Sequence, residues 1–308
     1  MSYFKFLSTC LLCCMAPSLF ISCKPHGERP YTAALTDTIA KITSEYPAEI
    51  GVALIVNGSD TVAVNDSCIY PMMSVFKVHQ ALAVCHDFDR KGITLDTVLT
   101  ITRSELDPHT WSPMMKEHTD TVFTLPVSDL LRYTLTKSDN NASNLMFKTL
   151  VGTEATDSFI ATVIPRPAFQ IVWSEEEMSA DHARAYANRT SPLGAAILME
   201  RIFTDSLVSA GKQAFIRNTL KECMTGTDRI AAGLPEDEGI TIAHKTGSGY
   251  INEGGILAAH NDVAYIALPN GTHYTLAVFV KDFKGNEKQA AEAIERISAA
   301  VYTWSARQ

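Results

Sequence analysis

The sequence contains little charge, no cluster of basic residues and no long apolar run beyond its first residues. Only 19% of its 308 residues are charged, and the formal net charge is −8. Proteins that bind nucleic acid usually carry a stripe of lysine and arginine, so we expect no nucleic-acid partner. The 46% hydrophobic content argues against a disordered chain. The length is enough for one large domain or two.

Patterns that bind metals are also missing. After residue 23 there is no Cys-x-x-Cys pair, no Cys/His cluster and no His-Glu-x-x-His pattern. These spacings are typical of zinc sites, so we predict no metal and no cofactor. The cysteines in this part of the chain are Cys68, Cys85 and Cys223. Cys85 lies in an apolar, helix-like stretch and is expected in the core. The sequence leaves undecided whether Cys68 forms a disulfide.

The first residues have the pattern of an export signal. Lys5 gives a positive start, and residues 6–21 form an apolar run that is too short to span a bilayer comfortably. The run ends in Phe-Ile-Ser-Cys, which resembles the lipobox of bacterial lipoproteins and predicts cleavage before Cys23 and acylation of its thiol. Plain secretion is the alternative. We predict a lipoprotein-type signal peptide over 1–23, a tether over 24–31 and a periplasmic, lipid-anchored protein.

Both ends of the remaining chain predict helices and antiparallel strands. Residues 34–42 are apolar at helical spacing, and two strand-like runs, 50–56 and 61–64, follow on either side of an Asn-Gly hairpin signal. Toward the other end we predict strands and a final helix, at 255–260, 263–268, 274–280 and about 287–304.

The stretch between the two ends is mostly helical. The simplest packing is one sheet built from both ends and covered by the terminal helices, with the helical middle as a second lobe. We therefore predict an α+β fold with a single domain over 32–308. Its sheet lobe comprises 32–72 and 230–308, its helical lobe comprises 73–229, and the cleft between them is the natural site.

A serine and a lysine three residues apart open one apolar helical stretch. In Ser74-Val75-Phe76-Lys77 this spacing places Ser74 and Lys77 on one helix face. A serine hydroxyl needs a base to become a good nucleophile, and a lysine whose pKa is lowered can serve. The tetrad alone is weak evidence, because Ser2…Lys5 and Ser209…Lys212 match it too.

Two further motifs follow in a meaningful order. Ser138-Asp139-Asn140 precedes a helical run, and Lys245-Thr246-Gly247 precedes a predicted strand. Singly, the first is a common helix N-cap and the second a common turn. The order Ser-x-x-Lys, Ser-Asp-Asn, Lys-Thr-Gly resembles the signature of class A β-lactamases and penicillin-binding proteins. The surrounding residues look closest to the cephalosporinase, extended-spectrum branch of class A found in anaerobic gut and oral bacteria.

The resemblance implies a fold and a set of reacting residues. The fold is a five-stranded antiparallel sheet with helices on both faces, joined to an all-helical lobe. Ser74 would attack the β-lactam carbonyl and Lys77 would share its proton. Ser138 would pass a proton to the leaving nitrogen, and the backbone N–H groups of Ser74 and Ser248 would form the oxyanion hole.

The resemblance also implies residues that hold the substrate. Asn140 would bond the side-chain amide, while Lys245 and Thr246 would bind the carboxylate. Arg229 matches a position where some class A enzymes place an arginine facing that carboxylate, although a surface salt bridge is the alternative. Trp111 matches the aromatic residue that guards the cleft, and its alternative is an ordinary interface tryptophan.

A glutamate decides whether the acyl-enzyme is hydrolysed. The candidate is Glu175, four residues before Ser179, because the family places its glutamate four residues before a side chain that holds the deacylating water. A solvated acidic run that includes Glu176 and Glu177 is the alternative. Two departures from the family stand out. Ser179 replaces the usual asparagine, and Trp173 replaces an arginine that normally forms a salt bridge across the loop, so we expect an altered loop and a wider cavity.

The resemblance therefore implies a serine β-lactamase that acts on small β-lactam substrates and prefers cephalosporins, and we expect it to be a monomer. A penicillin-binding DD-peptidase or transpeptidase is the main alternative, since it shares every motif except Glu175 and hydrolyses its acyl-enzyme slowly. A non-enzymatic β-lactam sensor or cell-wall-binding lipoprotein ranks last. Sensors of this family carry a membrane helix, and no apolar run after residue 23 is long enough to form one.

Overall fold

A computed structural model describes residues 30–66, 70–236 and 239–307. The predicted signal peptide, the acylation site Cys23 and Cys68 lie outside the described residues. The first helix, α1, begins at Pro30, so the last two residues of the predicted tether are helical. Proline suits the first turn of a helix because its fixed φ matches the helix and its missing N–H is not needed there.

The centre of the molecule is an antiparallel sheet of five strands in the order β2-β1-β10-β9-β8. Both chain ends contribute to it, as predicted. The strands are β1 (Glu49–Val56), β2 (Asp60–Val64), β8 (Thr241–Ser248), β9 (Leu257–Ala267) and β10 (His273–Phe283). The shorter strands, in two small sheets, are β3 (Tyr70–Pro71), β4 (Val98–Thr102), β5 (Val122–Pro126), β6 (Phe169–Gln170) and β7 (Arg189–Thr190).

Each face of the sheet is covered by helices, as side-chain alternation along β1 shows. Val52 and Leu54 join an apolar cluster with α1 and with α10 (Glu287–Ser305), while Ala53 and Ile55 face the opposite cluster. Successive side chains of a strand point to opposite faces, so one strand serves both cores. This confirms the predicted five-stranded sheet with helices on both faces.

The other helices lie between β3 and β8 in the chain, and most form the helical lobe. Their bounds are α2 (Phe76–Lys91), α3 (Pro113–Glu117), α4 (Val127–Thr136), α5 (Asn140–Thr149), α6 (Thr153–Ile160), α7 (Glu175–Ala180), α8 (Pro192–Thr204) and α9 (Ala210–Lys221). α2 runs through the middle of this lobe and is buried from Phe76 to Cys85, which is a free core cysteine as expected. α8 differs from the prediction, because its apolar side packs on β1 and β10 of the sheet.

Two strand predictions at the C-terminal end need correction. Residues 255–260 and 263–268 were expected as separate strands, but β9 runs unbroken through Asn261 and Asp262. Lys245-Thr246-Gly247 lies inside β8 instead of before a strand. The reason is the same in both cases: these polar residues are buried and find partners there, so they do not mark turns.

Among the residues that the structure describes, no helix has the length and apolar character needed to cross a membrane.

Candidate active site

Ser74 lies at the entrance to α2, where the backbone is strained. It is the central residue of a single 3-10 turn, Met73–Val75, that leads directly into α2. Met73, the residue before it, has a positive φ of 46°. A non-glycine residue in this region costs free energy and commonly marks a functional site. The turn places Lys77 beside Ser74, with its Nζ donating to Ser74 Oγ at 2.9 Å.

Lys77 is fully buried but surrounded by oxygen acceptors. Its Nζ donates to Asn140 Oδ1 at 2.6 Å and to the Ser138 carbonyl oxygen at 2.9 Å, and it forms an ion pair with Glu175 Oε1 at 2.8 Å. A buried ammonium group is tolerated only when it is paired and hydrogen-bonded, as here. Lys77 therefore joins the first two motifs and the glutamate in one cluster.

Glu175 is the one residue of the acidic run that faces the serine. Ser74 Oγ donates to Glu175 Oε1 at 3.0 Å, and Glu175 is the first residue of α7. Glu176 is exposed and pairs with Lys148, and Glu177 forms a capping box with the N-cap of the same helix. The structure thus separates three adjacent glutamates into one at the site, one on the surface and one in a helix cap.

The loop that carries Glu175 is held without the family's arginine. Asn188 is fully buried, and its Oδ1 accepts from the backbone N–H groups of Val172 and Trp173 at 2.8 and 2.9 Å. Its backbone oxygen accepts from Met72 N–H, next to the Ser74 turn. The Trp173 ring stacks under the Arg184 guanidinium, 4.6 Å away. Sequence reasoning missed Asn188, because no local pattern signals a side chain that bonds the backbone 15 residues away.

Ser138 sits between the two lysines of the site. Its Oγ accepts from Lys245 Nζ at 3.0 Å and lies 3.5 Å from Lys77 Nζ. Its φ is 57°, again in the left-handed region. This backbone conformation joins α4 to α5 and places the hydroxyl where a proton can pass between the Lys77 and Lys245 sides of the cleft.

Asp139, the middle residue of the same motif, has a structural role that the motif alone did not reveal. Its carboxylate caps α5 through Ala142 N–H and also accepts from Met114 N–H and from Ser112 Oγ–H. The side chain is fully buried, and burial raises the pKa of its carboxyl group. Asp139 therefore ties α3 to α5 and holds Ser138 and Asn140 in place.

β8 brings the third motif to the cleft, and its glycine is required by close packing. A Cβ on Gly247 would lie 2.4 Å from the Met72 carbonyl oxygen, so only glycine allows β8 to approach the Ser74 turn. Gly226 has a φ of 70°, and a Cβ there would meet the Thr246 methyl group at 2.3 Å. Both contacts fix how near the strand comes to the nucleophile.

Lys245 and Thr246 face the site from this strand. Lys245 is fully buried, and burial lowers its pKa to about 7. Its Nζ donates to Ser138 Oγ and to its neighbour's carbonyl oxygen. Thr246 Oγ1 lies 2.6 Å from Thr225 Oγ1, a residue that sequence reasoning did not single out.

Arg229 is buried beside Ser248 instead of lying on the surface. Its Nη2 donates to Ser248 Oγ at 2.6 Å and its Nη1 donates to the Asn261 carbonyl oxygen at 2.7 Å. The nearest acidic contact that the described residues show is 3.9 Å long, to the exposed Asp228. The guanidinium is thus fixed by β8 and β9, with one edge at the cleft.

Trp111 lies at the rim of the cleft. Its side chain is 55% exposed, and its ring Nε1 donates to the Lys137 carbonyl oxygen at 2.8 Å. Its backbone oxygen accepts from Asn140 N–H. The ring is therefore anchored at its polar end, with Lys116 Nζ over it 5.0 Å from its centroid, and its exposed part is suited to covering a bound molecule.

Two cavities meet at Ser74, and Asn140 and Ser248 line both. One, of about 250 Å³, has Trp111, Ser138, Thr225, Arg229 and Thr246 on its walls. The other, of about 230 Å³, is bounded by the α7 segment and the end of β8, with Glu175, Ser179, His182, Gly249 and Tyr250 on its walls. The other residues predicted for the site therefore line this cleft, while Lys77 and Lys245 are buried beneath its walls and contact Ser74 and Ser138.

The fold and this cleft define a serine acyl-transfer enzyme: a hydroxyl between an ammonium and a carboxylate, opposite a positively charged strand. The profile of the β-lactamase enzyme family matches residues 34–305. A β-lactamase of Phocaeicola vulgatus is 65% identical over 280 residues, which cover 91% of this chain and 87% of the relative. The chain therefore belongs to the β-lactamase enzyme family.

More distant relatives agree on the class. The extended-spectrum β-lactamase PER-1 of Pseudomonas aeruginosa is 33% identical over 89% of this chain and 88% of its own. The crystal structure of a class A β-lactamase from Bacteroides cellulosilyticus superposes with a TM-score of 0.86 at 28% identity, covering 91% of this chain and all of the other. The resemblance to class A serine β-lactamases is confirmed.

Proposed function

We propose that this β-lactamase opens the β-lactam amide through an acyl-enzyme on Ser74, which a water activated by Glu175 then hydrolyses, and that it prefers cephalosporins. The observation that supports the mechanism most strongly is the pair of contacts at Ser74 Oγ. The hydroxyl donates to Glu175 Oε1 and accepts from Lys77 Nζ.

These contacts provide a route for the proton in acylation. As Ser74 Oγ attacks the lactam carbonyl carbon, its proton passes into the Glu175–Lys77 pair, whose charged atoms are 2.8 Å apart. The carbonyl oxygen gains negative charge, which the Ser74 and Ser248 backbone N–H groups stabilise. The carbon–nitrogen bond then breaks, and Ser138, next to Lys245, gives its proton to the nitrogen. Ser138 regains a proton from Lys77 Nζ, 3.5 Å away, so the proton taken from Ser74 leaves the Glu175–Lys77 pair.

Deacylation uses the same carboxylate. With Ser74 acylated, Glu175 no longer accepts from its hydroxyl and is free to take a proton from a water that attacks the ester. Ser179, on the same short helix, lines the cavity beside Glu175, where its hydroxyl can hold that water. One carboxylate therefore serves both halves of the cycle.

Matched glutamate variants test this assignment. In Glu175→Gln, we expect a stoichiometric burst with a chromogenic cephalosporin and then turnover slowed at least ~100-fold, the size of a general-base contribution. Glu176→Gln is the control, because Glu176 pairs with the surface Lys148 and should leave turnover unchanged. Unimpaired turnover in Glu175→Gln would move the water-activating role to another group.

The cephalosporin preference rests on the shape of the cleft and on the branch resemblance. A cephalosporin carries substituents at both ends of its bicyclic core, and the two cavities extend from Ser74 in different directions. Comparing kcat/KM for cephalosporins and penicillins that share one acyl side chain tests it directly. Equal values, or higher values for the penicillins, would reject the preference.

The proposal includes a place in the cell. We propose a monomer anchored in the periplasm through an acylated Cys23, on the basis of the leader pattern. Mass spectrometry of the mature protein tests it through the expected diacylglyceryl mass on an N-terminal cysteine. A mature chain that begins elsewhere and carries no lipid would support plain secretion.

A further inference from the structure

A cysteine, a histidine and an aspartate meet behind the third motif, outside the residues that the mechanism uses. Cys223 follows the end of α9 and is partly exposed. His244, on β8, is close enough to interact with its thiol. On its other side, His244 Nδ1 lies 3.1 Å from Asp262 Oδ1, on β9. His244 and Asp262 are both buried.

This arrangement has the parts of an activated nucleophile. A thiol becomes reactive as its thiolate, and a neighbouring imidazole oriented by a carboxylate favours that form. Nδ1 of His244 contacts Asp262, so the carboxylate orients the imidazole that interacts with the thiol. Asp262 is fixed in turn by Ile230 N–H, 3.2 Å away, so the orienting group has little freedom.

The charges around the cluster favour a thiolate. Asp262 outweighs the effect of burial on His244 and raises its pKa to about 10, so the imidazole is protonated at neutral pH. Burial alone would raise the pKa of Cys223, but its interaction with the charged His244, with Lys245 nearby, lowers it to about 7. Arg229 adds a further positive charge on this side.

The cluster is connected to the proposed carboxylate subsite through one threonine. Cys223 Sγ lies 3.4 Å from Thr225 Oγ1, and Thr225 Oγ1 lies 2.6 Å from Thr246 Oγ1. Thr225 and Thr246 both line the cavity next to Ser74. A group attached to the sulfur would crowd Thr225 and thereby displace Thr246.

We propose that Cys223 is a reactive thiol, activated by His244 and Asp262, which small disulfides modify, and that the modification weakens the carboxylate subsite. The thiolate attacks one sulfur of the disulfide and forms a new S–S bond, while the other sulfur leaves as a thiolate with the electron pair of the broken bond. The effect on the subsite rests on the proposed function, but the reactivity does not.

The test of reactivity uses the full chain and an aromatic disulfide that releases a coloured thiolate. We expect a fast labelling phase whose rate rises with pH with a midpoint near pH 7. At that pH Cys223 would be thiolate to an extent about tenfold greater than an ordinary cysteine. Peptide mapping should place the label on Cys223, and Cys223→Ser should lose the fast phase. Cys85 is the internal control, because it is fully buried and burial raises its pKa to about 12.

Two results would overturn the reactivity. One is a labelling midpoint at the ordinary cysteine value of about 8.5. The other is no label on Cys223 in the folded protein under conditions that label it in the denatured protein. His244→Asn should slow the fast phase and shift its midpoint upward. If that variant does not fold, the midpoint in the unmutated protein still decides.

The effect on the subsite is measured separately. In the labelled protein we expect the KM for a carboxylate-bearing cephalosporin to rise about tenfold, the effect of losing one hydrogen bond to a charged group, and a reducing thiol to restore it. The same reagent should not change KM in Cys223→Ser. Labelling that leaves KM unchanged would refute the connection to Thr246. An unlabelled protein with no turnover would refute the proposed function and leave the labelling result standing.

Discussion

Buried positive charge dominates the residues around Ser74. Lys77 and Lys245 are fully buried and Arg229 is nearly so, while Glu175 is the one carboxylate among the described residues in direct contact with the nucleophile. Such an arrangement leaves an excess of positive charge on the β8 side of the cleft. A substrate carboxylate would neutralise this charge, which accounts for the position of Lys245 and Arg229 across the cleft from Ser74.

The lowered pKa of Lys245 predicts how activity depends on pH. Because burial favours the neutral amine, Lys245 carries its positive charge below about pH 7 and loses it as the pH rises. We expect kcat/KM for a carboxylate-bearing cephalosporin to fall on the alkaline side, by about tenfold for each pH unit above that pKa. Profiles of kcat/KM between about pH 6 and 9 measure this.

Lys245→Arg is the matched variant, since a guanidinium stays charged throughout this range. In this variant the decline of kcat/KM at alkaline pH should disappear or move to higher pH. A decline at the same pH in both proteins would show that another group titrates there, and the charge on Lys245 would then not limit binding.

At the scale of helices and strands, the reacting residues lie at helix ends and in the connections between helices. Ser74 precedes α2, Glu175 begins α7, and Ser138 occupies a strained joint between α4 and α5. Residues at such positions are held by caps and loop contacts more than by helical hydrogen bonds. The stability of the caps should therefore matter for catalysis as well as for folding.

Asp139 caps α5 and also accepts hydrogen bonds from the α3 segment, and its removal gives a second prediction. Asp139→Ala takes acceptors from Ala142 N–H and Met114 N–H at once. We expect the free energy of unfolding to fall by at least ~2 kcal/mol, from the lost cap and the buried donors left unpaired. Denaturant unfolding followed by circular dichroism measures it.

The control is Asp96→Ala, at an exposed turn position. It should change the free energy of unfolding by less than ~0.5 kcal/mol, as surface substitutions usually do. Equal stability of Asp139→Ala and the parent protein would contradict the role assigned to this carboxylate.

The turns and strands also show which local structures a sequence pattern can predict and which it cannot. Hairpins at Asn57-Gly58 and Asn270-Gly271 were predictable, because these pairs favour positive φ, which Asn57 and both glycines adopt. Asn261-Asp262 has the composition of a turn but lies in β9. Asn261 Nδ2 donates to the Pro71 carbonyl oxygen and Asp262 meets His244. Partners from distant strands decide such cases, and no local pattern contains them.

At the scale of the whole molecule, the cleft exists because both chain ends fold into one sheet. β1 pairs with β10, and β8 at the sheet edge packs against the turn that carries Ser74. The three motifs were predictable because each has a fixed spacing with a chemical reason. Asn188, Thr225 and Cys223 were not, since their roles come only from side chains that meet after folding.

The central claim is that one serine forms a covalent intermediate and one glutamate releases it. Rapid mixing with a cephalosporin, followed by intact-protein mass spectrometry, tests both halves at once. We predict a short-lived mass increase in the parent protein, a persistent one in Glu175→Gln that maps to the Ser74 peptide, and none in Ser74→Ala. A covalent adduct in Ser74→Ala, or turnover in the parent protein without any adduct on Ser74, would contradict the account.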